Sequence, residues 1–478
     1  MKSSFFKALG ELSPDLFRST YIIPFEHKFY DGRSVSEDFF NSMGWSVKNS
    51  YAKKELYLND IKKYFIDTFF PKQCDFVKEK KAVFLRNTNF KYINLHTEDK
   101  VFKLKLDFID LWILDDDIAL FSIHISNDEN TSYSIDNYSS IINRKMRDYK
   151  SLFALKNGDV LDVYDKKQTD KKDFIDVLFE LTKTDNKSFL NIKEISQTSL
   201  ISELTYYAKM ITSVYVDKKH IDIDGKSVDI RDSRDNLLET SFMDFNYFDE
   251  LAYMLATTSC FDDSKEPLFK SHRRYVYEIL QNNSINIWDN WVGIGLQDSC
   301  AFFSIKDGGK NIVCSNSTTN YFLYVVNFVT NIKLKIYEHQ VIDEDFIEVS
   351  KIYKLKQKMQ KLKNQFITSE VSIKFQPSAI YKKMEIGFKN KEMLDEISTN
   401  IDMTFDITKQ NTDILISFGT ILFALSSFKE PIIEFFEKDP FGTIFWGVLI
   451  LIVIVSLLPL LIHKGMYILK KIKHFLRF

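Results

Sequence analysis

The sequence predicts a mixed α/β (α+β) cytosolic region followed by long stalk helices and two C-terminal transmembrane helices. Three observations predict it. Short β-branched and aromatic runs alternate with turn signals through the first 340 residues. An uncharged stretch of 22 residues, Phe441 to Ile462, lies close to the C-terminal end of the sequence. Between these regions the apolar residues fall at helical spacing.

Composition bounds the function. Lys+Arg 64 against Asp+Glu 66 excludes a generally basic nucleic-acid binder. Hydrophobic residues make up 45% and charged residues 27% of 478, which is globular rather than disordered. Gly 14 and Pro 8 exclude long flexible linkers, and Phe 43 predicts a core packed with aromatic rings. Cys74, Cys260, Cys300 and Cys314 show no CxxC spacing, so a disulfide scaffold or zinc ribbon is not expected.

The first region, 1–340, reads as a sensor with a sub-boundary near 195–210. Lys81–Leu85 and Tyr92–Leu95 have strand character. Leu104 to Ile125 reads as a hairpin turning at Asp115-Asp116-Asp117. That turn is either simply acidic or a cation site. Asp159–Tyr164 reads as a strand, and Phe174–Thr182 and Phe242–Thr257 as helices. A second hairpin is signalled at Asp224-Gly225 and a third near Trp291. Gly225-Lys226-Ser227 lacks the earlier glycine of a P-loop. Ala301–Ile305 echoes Ala119–Ile123, with Trp291 and Trp112 before them; coincidence and duplication are both open. Lys270, His272, Arg273 and Arg274 are either a phosphate grip or a solvated helix start.

Residues 341–410 read as stalk helices. Ile352, Leu355, Met359, Leu362 and Phe366 form an apolar seam beside six lysines between Lys351 and Lys363. The seam is either packed with a solvated lysine face, or the lysines meet phosphate, a ligand or a membrane surface. Pro377 breaks the pattern. A further helix is expected from about Asn390 directly into the first span.

The membrane hairpin is 411–433 and 441–462, and 463–478 is a basic tail. Phe441 to Ile462 is long enough, at roughly 30 Å, to cross a bilayer's hydrocarbon core. Lys464, Lys470, Lys471, Lys473 and Arg477 put the tail inside. Two spans then place both termini in the cytoplasm of a multi-pass inner-membrane protein.

One stripe runs along the helix that enters the membrane: Thr399, Asp402, Asp406, Gln410, Asp413, Ser417, Thr420, Ala424 and Ser427. Every member is polar or small. Ile401, Phe405, Ile407, Ile414, Leu415, Phe418, Ile421, Leu422 and Leu425 lie on the other faces. Such a stripe serves either as a helix-packing face or, with several copies around an axis, as a pore wall with acidic rings at its mouth. Three carboxylates on one face are costly in a dry interface and favour the pore.

This arrangement over Asp343 to Phe478 resembles the CorA family of divalent-cation channels. The resemblance is architectural. The family's outer-loop Gly-Met-Asn signature is replaced by KEPIIEFFEKDP, so its ion filter is not carried over. The resemblance implies a homopentamer with the first span lining the pore and a divalent cation as cargo. The large cytosolic region further resembles the CorA-like effectors of type III CRISPR antiviral defence. That likeness implies gating by a nucleotide second messenger, an S-adenosylmethionine–AMP conjugate. The expected partners are the lipid bilayer, further copies of the chain and a small ligand, with no direct nucleic acid. The rival reading is a membrane-anchored cytosolic nucleotide-processing enzyme.

Overall fold

The computed structural model describes residues 2–427, apart from 30–39, 42–43, 50, 71–82, 98, 115–117, 129, 148–151, 156–159, 165–182, 185–186, 189, 193–207, 232–246, 262–270, 307–308, 343–348 and 368–369. The expected helix at Phe174–Thr182, the Asp115–Asp117 turn, Lys270 and the sub-boundary near 195–207 lie outside the described residues. So does everything from 428 onward, including the second expected span.

The chain opens with α1 (Lys2–Gly10) and the long strand β1 (Leu16–Phe29). Then come β2 (Ser46–Val47), α2 (Ala52–Glu55), α3 (Lys63–Phe69), β3 (Val83–Asn87) and β4 (Tyr92–His96). The Asp-turn hairpin is β5 (Val101–Ile113) and β6 (Ile118–Ser126), followed by a π-helical stretch, Asn137–Asn143, that runs into α4 (Arg144–Arg147). Short strands follow: β7 (Leu152–Leu155), β8 (Val160–Tyr164), β9 (Lys183–Thr184), β10 (Lys187–Ser188) and β11 (Leu190–Ile192). Next are β12 (Lys209–Val216), the hairpin β13 (His220–Ile223) and β14 (Lys226–Asp229), α5 (Tyr247–Ala256) and α6 (Arg273–Asn283). The third expected hairpin lies within β15 (Ser284–Trp288), β16 (Trp291–Gly295) and β17 (Ser299–Ile305). Helices finish the chain: α7 (Lys310–Cys314), α8 (Thr319–Ile342), α9 (Val349–Leu362), α10 (Phe375–Phe388) and α11 (Asn390–Ser427).

Among the described residues thirteen strands form one mixed sheet, with the path β15-β16-β17-β12-β1-β6-β5-β4-β8-β7. Pairing is antiparallel except for β12 with β17 and β4 with β8. All of β6, β16 and β17 is buried, because helices cover both faces. Alternation along β5 sorts the faces. Ile109, Leu111 and Ile113 join Phe5, Phe17, Tyr138 and Leu251 in one core. Trp112 points the other way, against Phe70, Phe84 and Tyr321.

The β13–β14 turn places Asp224 and Gly225 at φ 52° and 78°, the left-handed pair that a two-residue hairpin needs. The paired strands around the two Trp residues differ in register. Trp112 lies opposite Leu120, whereas Trp291 lies opposite Ser304. The two echo strands thus pair in different registers, and both are buried along their whole length.

Helix α8 has no counterpart in the sequence reading. Tyr321 through Val326 are all completely buried, so the helix is apolar all round and shows no amphipathic period. The α9 seam, Ile352 to Phe366, is buried throughout, so its apolar side is packed. Pro377 lies inside the first turn of α10, where its missing N–H costs nothing. The expected stalk is divided: 350–401 belongs to a compact unit with 1–345, and 402 onward to a second unit with 346–349.

A buried charge network crosses the α8 face of the sheet. Arg86 clasps Asp110 at 2.7 and 3.0 Å, with Asp110 fully buried. Arg86 stacks over Phe108 at 3.6 Å and reaches Glu55 at 3.2 Å. His124 Nε2 lies 3.2 Å from Asp110, within ion-pair range but off the axis of a hydrogen bond. Its Nδ1 is 2.9 Å from the Thr20 hydroxyl.

Burial alone would raise the Asp110 carboxyl, but Arg86 and His124 hold it below the usual carboxylate range. Burial pushes His124 down, only partly offset by Asp110, so the ring is neutral at pH 7. Replacing Asp110 by Asn should cost about 3–5 kcal/mol in urea unfolding, because a buried guanidinium loses its counter-ion. Both shifts point downward, so the unfolded chain takes up protons first on acidification. Stability should therefore fall below about pH 6.5 as unfolded His124 protonates, and again through the acid range as Asp110 does. A His124→Gln variant should lose the first step in a pH series of melting curves.

Candidate functional site

The proposed pore residues lie on α11, 38 residues long and about 57 Å by its rise per residue. Leu394, Ile397 and Ile401, at 3–4 spacing, bury one face of its first turns. Beyond Ile401 the exposure changes. Asp402, Asp406, Gln410, Asp413, Ser417 and Thr420 are all exposed; the side chains of Ala424 and Ser427 lie outside the described residues. Ile414 and Ile416 are exposed too, at 45% and 62%. A helix that exposes acids and large aliphatic side chains together calls for two different surroundings.

The hydroxyls need less help than the sequence suggests. Thr420 donates to the Ile416 carbonyl at 2.9 Å and Thr399 to the Asp395 carbonyl at 2.9 Å. Back-bonding of this kind satisfies a hydroxyl in any medium. The need for water along the stripe therefore comes from the three carboxylates. Among the described residues no helix is long and apolar enough to cross a membrane.

The start of α11 is fixed by buried amides. Lys389, at φ 56°, makes the left-handed joint between α10 and α11, and its N–H donates to Ile386. Asn331 on α8 donates to the Phe388 carbonyl and to the Asn390 side chain, both at 3.0 Å. Asn390 donates to the Asn327 carbonyl at 3.0 Å, and Asn327 to Tyr381 at 3.3 Å. All three asparagines are at most 3% exposed. Sequence reasoning missed this junction. Its one signal is a pair of asparagines four apart inside an otherwise apolar run.

Of the basic cluster, Lys270 and the Arg273 side chain lie outside the described residues. His272 is an exposed helix cap whose Nδ1 accepts from the Arg274 N–H, and Arg274 pairs with Glu278 in solvent. Thr20, His124 and Asp110 do form a hydroxyl–imidazole–carboxylate chain of the kind hydrolases use. All three are 0–1% exposed, so no substrate reaches the hydroxyl. Among the described residues no group of three His, Cys, Asp or Glu side chains stands ready to hold a metal ion, and no disulfide joins Cys260, Cys300 or Cys314.

Lys389→Gly should leave stability unchanged or raise it by about 1 kcal/mol, since only a Cβ opposes the left-handed joint. Lys389→Pro should be severely destabilising, because proline cannot adopt a positive φ and removes the N–H to Ile386. Asn390→Ala should cost about 1–3 kcal/mol by leaving the Asn331 amide short of an acceptor. Thermal melting of the three variants checks all of this. Comparison of the chain with protein-family models, curated proteins and solved structures finds no match.

Proposed function

We propose that the chain is one subunit of a homo-oligomeric membrane ion channel of CorA-like type, gated by a ligand that its cytosolic α/β region senses. The observation that supports it most is the unbroken helix α11. It begins at a buried amide junction and runs on to an exposed stripe of Asp402, Asp406, Gln410, Asp413, Ser417 and Thr420. Acids on one face of one helix repel nearby anions only weakly. Repeated around an axis they form rings that attract cations and line a wet path. The aliphatic side chains at 414 and 416 then meet lipid or the second span.

The 22 uncharged residues from Phe441 supply that second span in this reading, with the basic tail inside and both termini in the cytoplasm. Gating means that two arrangements of α11 differ in their affinity for the ligand. The finer expectations rest on family resemblance alone. They are a pentamer, a divalent cation as cargo and a nucleotide second messenger in antiviral defence.

Reconstitution of the full chain into planar bilayers tests the proposal. The expected result is cation-selective conductance. Asp406→Asn and Asp413→Asn should each move the reversal potential toward that of a non-selective pore. Absence of conductance, or selectivity untouched by both substitutions, would leave the stripe as a packing face.

A further inference from the structure

Helix α9 carries lysines and no acid. Its sequence is VSKIYKLKQKMQKL, and the continuation Lys363–Ile367 adds a sixth lysine and again no carboxylate. The seam from Ile352 to Phe366 is buried, so the lysines stand on its flanks. Lys354, Lys358 and Lys361 are exposed, and steps of four and three residues set them in one row along the helix. Among the described residues no carboxylate pairs with any of these three. Like charges at this spacing repel one another.

Helix α11 opens with the opposite sign. Glu392, Asp395 and Glu396 are exposed and face away from the buried Leu394, Ile397 and Ile401. Among the described residues none of the three pairs with a basic side chain, Lys391 on the same turn included. Both rows belong to the first compact unit, which contains 350–401. Within one chain, therefore, a basic row and an acidic row of three charges each go unneutralised by one another.

We infer that Lys354, Lys358 and Lys361 of one copy dock on Glu392, Asp395 and Glu396 of the next copy of this chain. The inference rests on the homo-oligomeric reading and names the surfaces that join the copies. Charge complementarity selects the occupant, because the chain itself carries an exposed row of opposite sign and matching charge. Like patches brought together would set lysine on lysine, so the contact joins two different patches. Head-to-tail contacts of that kind build rings when the rotation closes. Each copy then offers one patch of each sign, and the repulsion within each row is relieved all round the ring. Asp402, Asp406 and Asp413 lie further along α11 and take no part. Charges at an exposed contact steer association and fix register, and salt screens them.

Mass photometry of the detergent-solubilised full chain over a dilution series tests the docking. The wild type should assemble, and less so as chloride rises. Lys354→Glu, Lys358→Glu and Lys361→Glu in one chain should raise the concentration of half-assembly about tenfold or more. Glu392→Lys, Asp395→Lys and Glu396→Lys in one chain should do the same. A chain with all six reversals restores opposite signs and should return to within about threefold of the wild type. Misfolding cannot produce that recovery. Wild-type assembly by either triple variant would overturn the inference and leave the homo-oligomeric channel standing. So would failure of the six-fold variant to recover, which would mean that the lysines meet an anionic lipid or a nucleic acid instead. A wild type that stays monomeric at every concentration would sink both. Recovery in the six-fold variant without conductance in bilayers would keep the docking and sink the channel.

Discussion

The buried stretch of α8, Asn320 to Ile332, carries polar side chains that water does not reach, and the bonds that most of them make to surrounding elements constrain the whole first unit. Tyr321 accepts from the Trp112 indole at 2.6 Å and donates to Ser122 at 2.8 Å, which ties the helix to β5 and β6. Asn327 and Asn331, on the same helix, reach α10 and the first residue of α11. Apolar burial would hold α8 in place but would let it slide or rotate. The directional bonds fix its register, because a shift of one residue would strand several buried donors together.

The charge network under α8 follows the same logic. Arg86, Asp110 and His124 sit on three adjacent strands, where cross-strand registry brings them side by side. Each is expensive to bury alone and tolerable as a set. Phe84, Trp112 and Tyr321 close over them, which is why a hydroxyl–imidazole–carboxylate chain there serves packing rather than catalysis. The sheet reads as a rigid platform, and its polar contents specify how the helices dock on it.

The asparagine junction positions the start of α11, and the exposed acids lie further along the same helix. An α-helix transmits direction over its length because every backbone hydrogen bond runs along its axis.

Local chemistry made much of the architecture legible. The hairpins at 104–125, 220–229 and 291–305 announced themselves through β-branched and aromatic runs, and the second also through Asp224-Gly225, since a two-residue turn admits few side chains. The absence of proline after Asn390 announced α11, and 3–4 spacing announced the seam of α9. What the sequence could not carry was pairing between distant positions. Arg86 with Asp110, Asn331 with Asn390, and Lys209 with Asp298 are each neighbours only after strands and helices have packed. Helix α8 stayed hidden because burial on all sides removes the periodicity by which a helix is recognised. Linear patterns record what each segment does alone; three-dimensional packing decided which polar groups meet, and those meetings set the sites.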